Sequence, residues 1–347
     1  MQKYYLLYKE LKSRILSGAY QPGGKLPSKR VLADREGVSV ITVERACQML
    51  ADEGYIHTVE RQGYFVSAAK LQPPSHQTTE PIRRLPEPEA PPEDDFAYSA
   101  WFRSVRRVLT EKGSRLFVKA PMQGCAVLRN EIAAYLARYR HITAQPEQII
   151  IGSGAEQLYE IVVRLFGRDK TYGIEYPSYQ QIETMYTAMG AEICRLPLGC
   201  DGIEADALER EAFDILHVTP YHSYPTGITT PIGKRAEYLR WAEKRDSYIV
   251  EDDFDSEFFL PGQPVETLYA LDTRKSVVYI NTFSKSLSPS MRIGYMILPE
   301  VLLPQYEEKM QNASCSVPVM DQYILSEFLR TGDFERHLNH MRRKMRR

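Results

Sequence analysis

Between Pro73 and Asp95 the chain reads PPSHQTTEPIRRLPEPEAPPEDD, seven prolines interleaved with a run of acids. Proline has no backbone N–H to give to a helix or a sheet ladder, so this stretch is kept out of any packed core and reads as an extended linker. The chain is therefore expected to fold as two tethered domains, residues 1–69 and 98–347, joined by a linker over 70–97. Charge follows nearly the same division: residues 1–70 carry a net +4, residues 71–98 a net −4 and the remainder −1, all hidden in an overall net charge of −1.

Composition removes several classes. With 43% hydrophobic and 11% aromatic residues, the chain has too much apolar surface for a solvated coil. No uninterrupted apolar run approaches the roughly 18 residues a membrane helix needs. The opening MQKYYLLYKELKSRIL has charges spread through it, unlike a secretory signal. The five cysteines, Cys47, Cys125, Cys194, Cys200 and Cys315, are scattered and form no CxxC pair, which argues against a disulfide framework or structural zinc and predicts a reduced, cytoplasmic setting. His337 and His340 lie one helical turn apart, but no Cys or carboxylate stands in register with them. They are expected on a solvated helix face, with no metal.

In the first domain Tyr4, Leu7, Tyr8, Leu11 and Ile15 recur at helical spacing until Gly18 and Pro22. Ser28 can cap a short helix over Lys29 to Arg35 that Gly37 ends. Ser39 can cap a second, whose Val43, Ala46, Cys47 and Leu50 form an apolar stripe before Gly54. Two capped helices about a tight glycine turn predict a helix-turn-helix, and the alternating YIHTVERQGYFVSA adds a hairpin around Gln62-Gly63. If the stripe packs inward, Ser39, Val40, Thr42 and Arg45 face outward as base-reading candidates, while Lys29, Arg30, Arg61 and Gln62 are placed to neutralise phosphates. The run from Tyr5 to Val66, above all LPSKRVLADREGVSVITVERACQMLADEGYIHTVERQGYFV, resembles the winged-helix domain of GntR-type bacterial transcription regulators. It departs at Val40-Ile41, where such regulators more often carry polar or basic residues.

Beyond the linker, short apolar runs alternate with helical patterns: QIII (148–151), DILHVT (214–219), SYIVEDD (247–253), SVVYIN (276–281) and MRIGYMIL (291–298). This predicts an α/β domain with a mostly parallel sheet covered on both faces, and ligands beyond the carboxyl ends of its strands. Gly152-Ser153-Gly154-Ala155-Glu156 opens a helix after the first run, a place where free N–H groups could meet an anion. Asp252 and Asp253 stand at the end of the third run, and Thr282-Phe283-Ser284-Lys285-Ser286-Leu287 comes after the fourth, with Arg292 seven residues beyond the lysine. A lysine amine, an acid to keep a pyridine nitrogen protonated, and an arginine, hydroxyls and amides for a phosphate are the groups that pyridoxal 5'-phosphate needs. Tyr179, in EYPSYQQ, could supply a stacking ring.

VEDDFDSEF and NTFSKSLSPSMRIGY resemble the core of fold-type-I aminotransferases as it occurs in MocR-type regulators, which join a GntR-like winged helix to an aminotransferase-like domain. The resemblance spans about residues 4–340. It implies Lys285 as the catalytic, Schiff-base lysine, Asp252 as partner of the pyridine nitrogen, and Tyr179 on the ring. Ser284, Arg292 and the turn of Gly154, Ala155 and Glu156 would hold the phosphate, and His222, in TPYHSYPTG, would stand near the cofactor. Tyr224 replaces the asparagine that aminotransferases carry before Pro-Thr-Gly, and Phe254 replaces a tyrosine common in the regulators. The chain ends 62 residues after Lys285, so the end of the small C-terminal domain, with the arginine that grips a substrate carboxylate, is expected to be missing. The resemblance further implies a homodimer on a double-stranded DNA operator, responding to a small amine, an amino acid or pyridoxal 5'-phosphate. The alternative is a pyridoxal phosphate aminotransferase with an appended winged helix.

Overall fold

The computed structural model describes residues 3–60, 62–67, 96–258 and 266–345. The chain divides into two compact units, Met1–Glu89 and Ala90–Arg347. The expected linker lies almost wholly outside the described residues, as does Arg61.

The first unit packs α1 (Lys3–Leu16), α2 (Lys29–Glu36) and α3 (Val40–Asp52) against the antiparallel pair β1 (Ile56–Val59) and β2 (Gly63–Val66). Each boundary has a local cause. Ser28 and Ser39 stand in extended backbone, and their hydroxyls accept from the Val31 and Thr42 amides at the free helix ends. Gly37, at φ 62°, closes α2 in the left-handed region that a side chain disfavours. Leu7, Leu11, Leu32, Val43, Ala46, Cys47 and Leu50 then share one buried core with Ile56 and Val66. Ser39→Ala removes the cap of α3 and should destabilise this unit by about 1 kcal/mol in chemical denaturation. A change under roughly 0.3 kcal/mol would mean that the cap is dispensable.

The second unit begins with α4 (Tyr98–Lys112) and α5 (Ala126–Tyr139), then alternates β3 (Ile149–Gly152), α6 (Ala155–Phe166), β4 (Thr171–Tyr176), α7 (Gln180–Ala188), β5 (Glu192–Pro197), α8 (Ala205–Arg210), β6 (Ile215–Val218), α9 (Ile232–Arg245) and β7 (Tyr248–Asp252). It continues through α10 (Leu268–Leu271), β8 (Val277–Thr282), β9 (Gly294–Ile297), α11 (Leu303–Met310), α12 (Val319–Arg330) and α13 (Asp333–Met345). The sheet order is β3-β9-β8-β7-β6-β4-β5, with β9 antiparallel to both neighbours and the other described pairs parallel.

Side chains alternate between two cores. Ile149, Ile151, Ile249, Val277 and Tyr279 face α5, α9, α12 and α13, whereas Ile150, Val250, Val278 and Ile280 face α6, α7 and α11. Burial on both faces explains why the central strands read as continuous apolar runs. Strands β4 and β5 were not among those runs. The first carries a glycine and a buried glutamate, and the second is a largely exposed edge.

His337 departs from the solvated position expected of it. His337 is buried, not solvated, because α13 turns it inward between Phe334 and Leu338, where Nε2 lies 3.0 Å from the Ser286 carbonyl oxygen. His340 is exposed, and no described group of His, Cys, Asp and Glu could hold a metal. Among the described residues, no helix is long and apolar enough to cross a membrane.

Candidate functional site

In the first unit the outward side of α3 opens with the cap itself. Ser39 Oγ lies 2.8 Å from Thr42 Oγ1, so the two hydroxyls are tied together at the helix start. Beside them Val40 and Ile41 are 41% and 77% exposed, an apolar step at the tip of the helix. Arg45 is exposed but lays its guanidinium 4.2 Å above the Tyr4 ring, which fixes its direction. Lys29 pairs with Glu44 and sits 5.6 Å over Tyr64, so part of its charge is already compensated. Arg30 and Gln62 are exposed.

In the second unit the carboxyl ends of the central strands open onto a cavity of about 320 Å³, at the small end of the range for small-molecule sites. Strand β7 delivers Asp252, and the connection from β8 to β9 delivers Ser284, Lys285 and Arg292. The start of α6 delivers Ala155 and Glu156, and the start of α7 brings Tyr179. Seven of the residues expected from sequence to bind the cofactor thus line one hollow. Gly154, at φ 83°, backs onto it so closely that a Cβ there would meet the Arg292 guanidinium at 3.0 Å. His222 does not line it. That histidine is half-exposed, with Nδ1 3.3 Å from Asp255 Oδ2, while Asp255 Oδ1 lies 2.5 Å from Lys285 Nζ.

Several participants carried no sequence signal of their own. Tyr159, three residues beyond Glu156 in the apolar stripe of α6, donates its hydroxyl to Asp252 Oδ2. Burial, followed by the Asp252 charge, pushes that hydroxyl well above the usual tyrosine range, so it remains a donor. His217 Nε2 lies 3.8 Å from the same carboxylate oxygen, and its Nδ1 is 2.7 Å from the Tyr186 hydroxyl. Asp252 is 3% exposed, and its other oxygen, Oδ1, has no hydrogen-bond partner among the described residues. A buried carboxylate oxygen left unpaired at a cavity wall is costly unless a ligand donates to it. The ring of Tyr179 meets Tyr224 edge to face at 6.1 Å, and Phe254 lies beneath Lys285 Nζ at 5.2 Å. Deeper, burial raises the Glu175 carboxyl to about 7, and Ser223 Oγ donates to it at 2.6 Å.

This donor set fits pyridoxal 5'-phosphate. The unpaired Asp252 oxygen suits a protonated ring nitrogen, Arg292 a phosphate and Lys285 a carbonyl, and the volume suits a ligand of that size.

Comparison with known proteins agrees with the two-part architecture. Residues 3–66 match the family described as bacterial regulatory proteins, gntR family, and residues 95–347 match aminotransferase class I and II. The uncharacterized HTH-type transcriptional regulator YdeL of Bacillus subtilis is 36% identical over 351 residues, covering 98% of this chain and 76% of its own. The HTH-type pyridoxine biosynthesis transcriptional regulator PdxR of Corynebacterium glutamicum is 30% identical, covering 97% of this chain and 75% of its own. The solved α-aminoadipate aminotransferase LysN of Thermus thermophilus, complexed with N-(5'-phosphopyridoxyl)-L-leucine, superposes with a TM-score of 0.65 at 28% identity. That match covers 73% of this chain and 65%, just under two thirds, of the enzyme. The chain belongs to the MocR-type, DNA-binding transcription regulators of the GntR family, in which a winged helix is joined to a fold-type-I aminotransferase-like domain.

Proposed function

We propose that the aminotransferase-like domain holds pyridoxal 5'-phosphate at Lys285 and uses it to sense the cofactor itself, a small amine or an amino acid, with the result passed to the winged helix. The observation that carries this reading is the buried Asp252 carboxylate, one oxygen fixed by Tyr159 and the other unpaired at the wall that Lys285 and Arg292 share. In this reading Asp252 balances the ring charge and Arg292 and Ser284 take the phosphate. Tyr179 covers the ring, and the backbone from Gly154 to Glu156 completes the phosphate cradle. Lys285 stands ready at the carbonyl, with Asp255 holding its amine in place. When bound, the cofactor supplies a carbonyl that condenses reversibly with amines.

Similarity to regulators supports this reading, PdxR among them being a transcriptional regulator of pyridoxine biosynthesis. On the DNA side, Lys29, Arg30 and Gln62, together with Arg61, would contact phosphates, while Ser39, Thr42 and Arg45 would read bases from α3. A homodimer would set two winged helices on two half-sites of a double-stranded operator. A cytoplasmic location fits such a regulator.

The test is operator binding by fluorescence anisotropy, using the full chain and DNA from its own upstream region, with and without pyridoxal 5'-phosphate and then candidate amines. Coupling between the sites should change DNA affinity by about five- to a hundredfold, and affinity should fall steeply with salt. DNA affinity indifferent to every ligand, together with steady turnover of amino donors by a keto acid, would instead favour an aminotransferase carrying a winged helix. A 2-aminoadipate transaminase of Thermus thermophilus, 29% identical over 75% of this chain, gives that second reading its support.

A further inference from the structure

The place where a phosphate would sit is engaged by one of the chain's own carboxylates. Glu156, in the first turn of α6, puts Oε2 2.7 Å from Arg292 Nη2, and its Oε1 accepts from Gln181 Nε2 at 3.3 Å. All three residues line the cavity. The carboxylate also has the favoured sign for a helix N-terminus, so it occupies both attractions that a phosphate would use, the guanidinium and the positive end of the helix. The formal charges agree. The lining residues carry two acids, Glu156 and Asp252, against two bases, Lys285 and Arg292, and Lys285 is itself paired with Asp255. A phosphate dianion thus enters a hollow with no net positive charge.

Resting on the cofactor reading above, we propose that Glu156 is a resident competitor for Arg292 that weakens the hold on the cofactor phosphate, making the domain a reversible reader of pyridoxal 5'-phosphate rather than a permanently loaded one. The pair is about half exposed, with side chains 44% and 51% accessible. Glu156 can therefore swing into water at modest cost, since exposed ion pairs contribute little. What remains is repulsion between a carboxylate and a phosphate held by the same helix end, which lowers affinity without blocking entry.

Calorimetric titration of the full chain separates the outcomes, comparing wild type, Glu156→Gln and Glu156→Ala with pyridoxal 5'-phosphate, inorganic phosphate and phosphate-free pyridoxal. Both variants should bind pyridoxal 5'-phosphate tighter by on the order of tenfold, gain likewise for inorganic phosphate, and leave pyridoxal unchanged. Equal or weaker binding of pyridoxal 5'-phosphate by the variants would overturn the competitor role while leaving the cofactor reading standing. So would a gain shared equally by pyridoxal, which marks a general change of the cavity. If neither wild type nor either variant took up pyridoxal 5'-phosphate, the cofactor reading and this inference would both fall.

Discussion

Arg140→Met should destabilise the second unit by about 3–5 kcal/mol, with a fall in Tm on the order of 10 °C. Arg140, just past α5, is buried and places Nη2 2.5 Å from Asp253 Oδ2, with side chains 5% and 3% exposed. Tyr279 donates to the same carboxylate oxygen at 2.7 Å. Asn281 joins Tyr279 to Glu257, whose carboxyl burial raises to about 7. Methionine would fill much of the arginine's volume, yet it would leave Asp253 as a buried charge without its paired cation, and the neighbouring Glu257 would lose the charge that favours its ionised form. The cost comes from the orphaned acid more than from the lost contact. Adding Asp253→Asn to Arg140→Met should therefore restore part of the stability, so the double variant loses less than the two single losses added together. Denaturant unfolding of the four proteins measures this. An Arg140→Met loss below about 1 kcal/mol would show that the ion pair merely offsets its own desolvation.

Asp252→Asn should weaken retention of pyridoxal 5'-phosphate by about ten- to a hundredfold, the size of one charge-assisted hydrogen bond. The amide can still accept from the Tyr159 hydroxyl, so the α6 contact and the fold are expected to survive. It cannot balance a ring cation, and its NH2 would face another donor at the position that Oδ1 now offers. Equilibrium dialysis against the cofactor reads the change, and an unaltered affinity would remove Asp252 from the site.

The two adjacent acids also mark where sequence reasoning stops. Asp252 and Asp253 are chemically identical and adjacent at the end of one strand, yet one faces the cavity and the other the Arg140 network, because successive positions there point to opposite faces. Resemblance to a known motif assigned the first; spacing alone did not. Local signals were the most readable. Ser28 and Ser39 announce their helices by capping chemistry, and the buried strands announce themselves as unbroken apolar runs. Contacts distant in sequence were not readable. Glu156 and Arg292 stand 136 residues apart, and Tyr159 reaches Asp252 across 93, so neither pairing leaves a mark on a one-dimensional pattern. The turn at Gly154 was legible as an anion cradle by its backbone, whereas the carboxylate that engages its arginine was visible only in three dimensions. His222, placed near the cofactor by resemblance, is not in the cavity lining but touches Asp255, whose other oxygen pairs with Lys285.

Covalent capture tests the account most directly. The protein is mixed with pyridoxal 5'-phosphate, its visible absorbance is followed, and the sample is reduced with borohydride and digested for peptide mass analysis. The account predicts a new visible band, a pyridoxyl adduct on Lys285, and the loss of both in Lys285→Ala. A label spread over other lysines, or a band that persists in the Lys285→Ala protein, would contradict it.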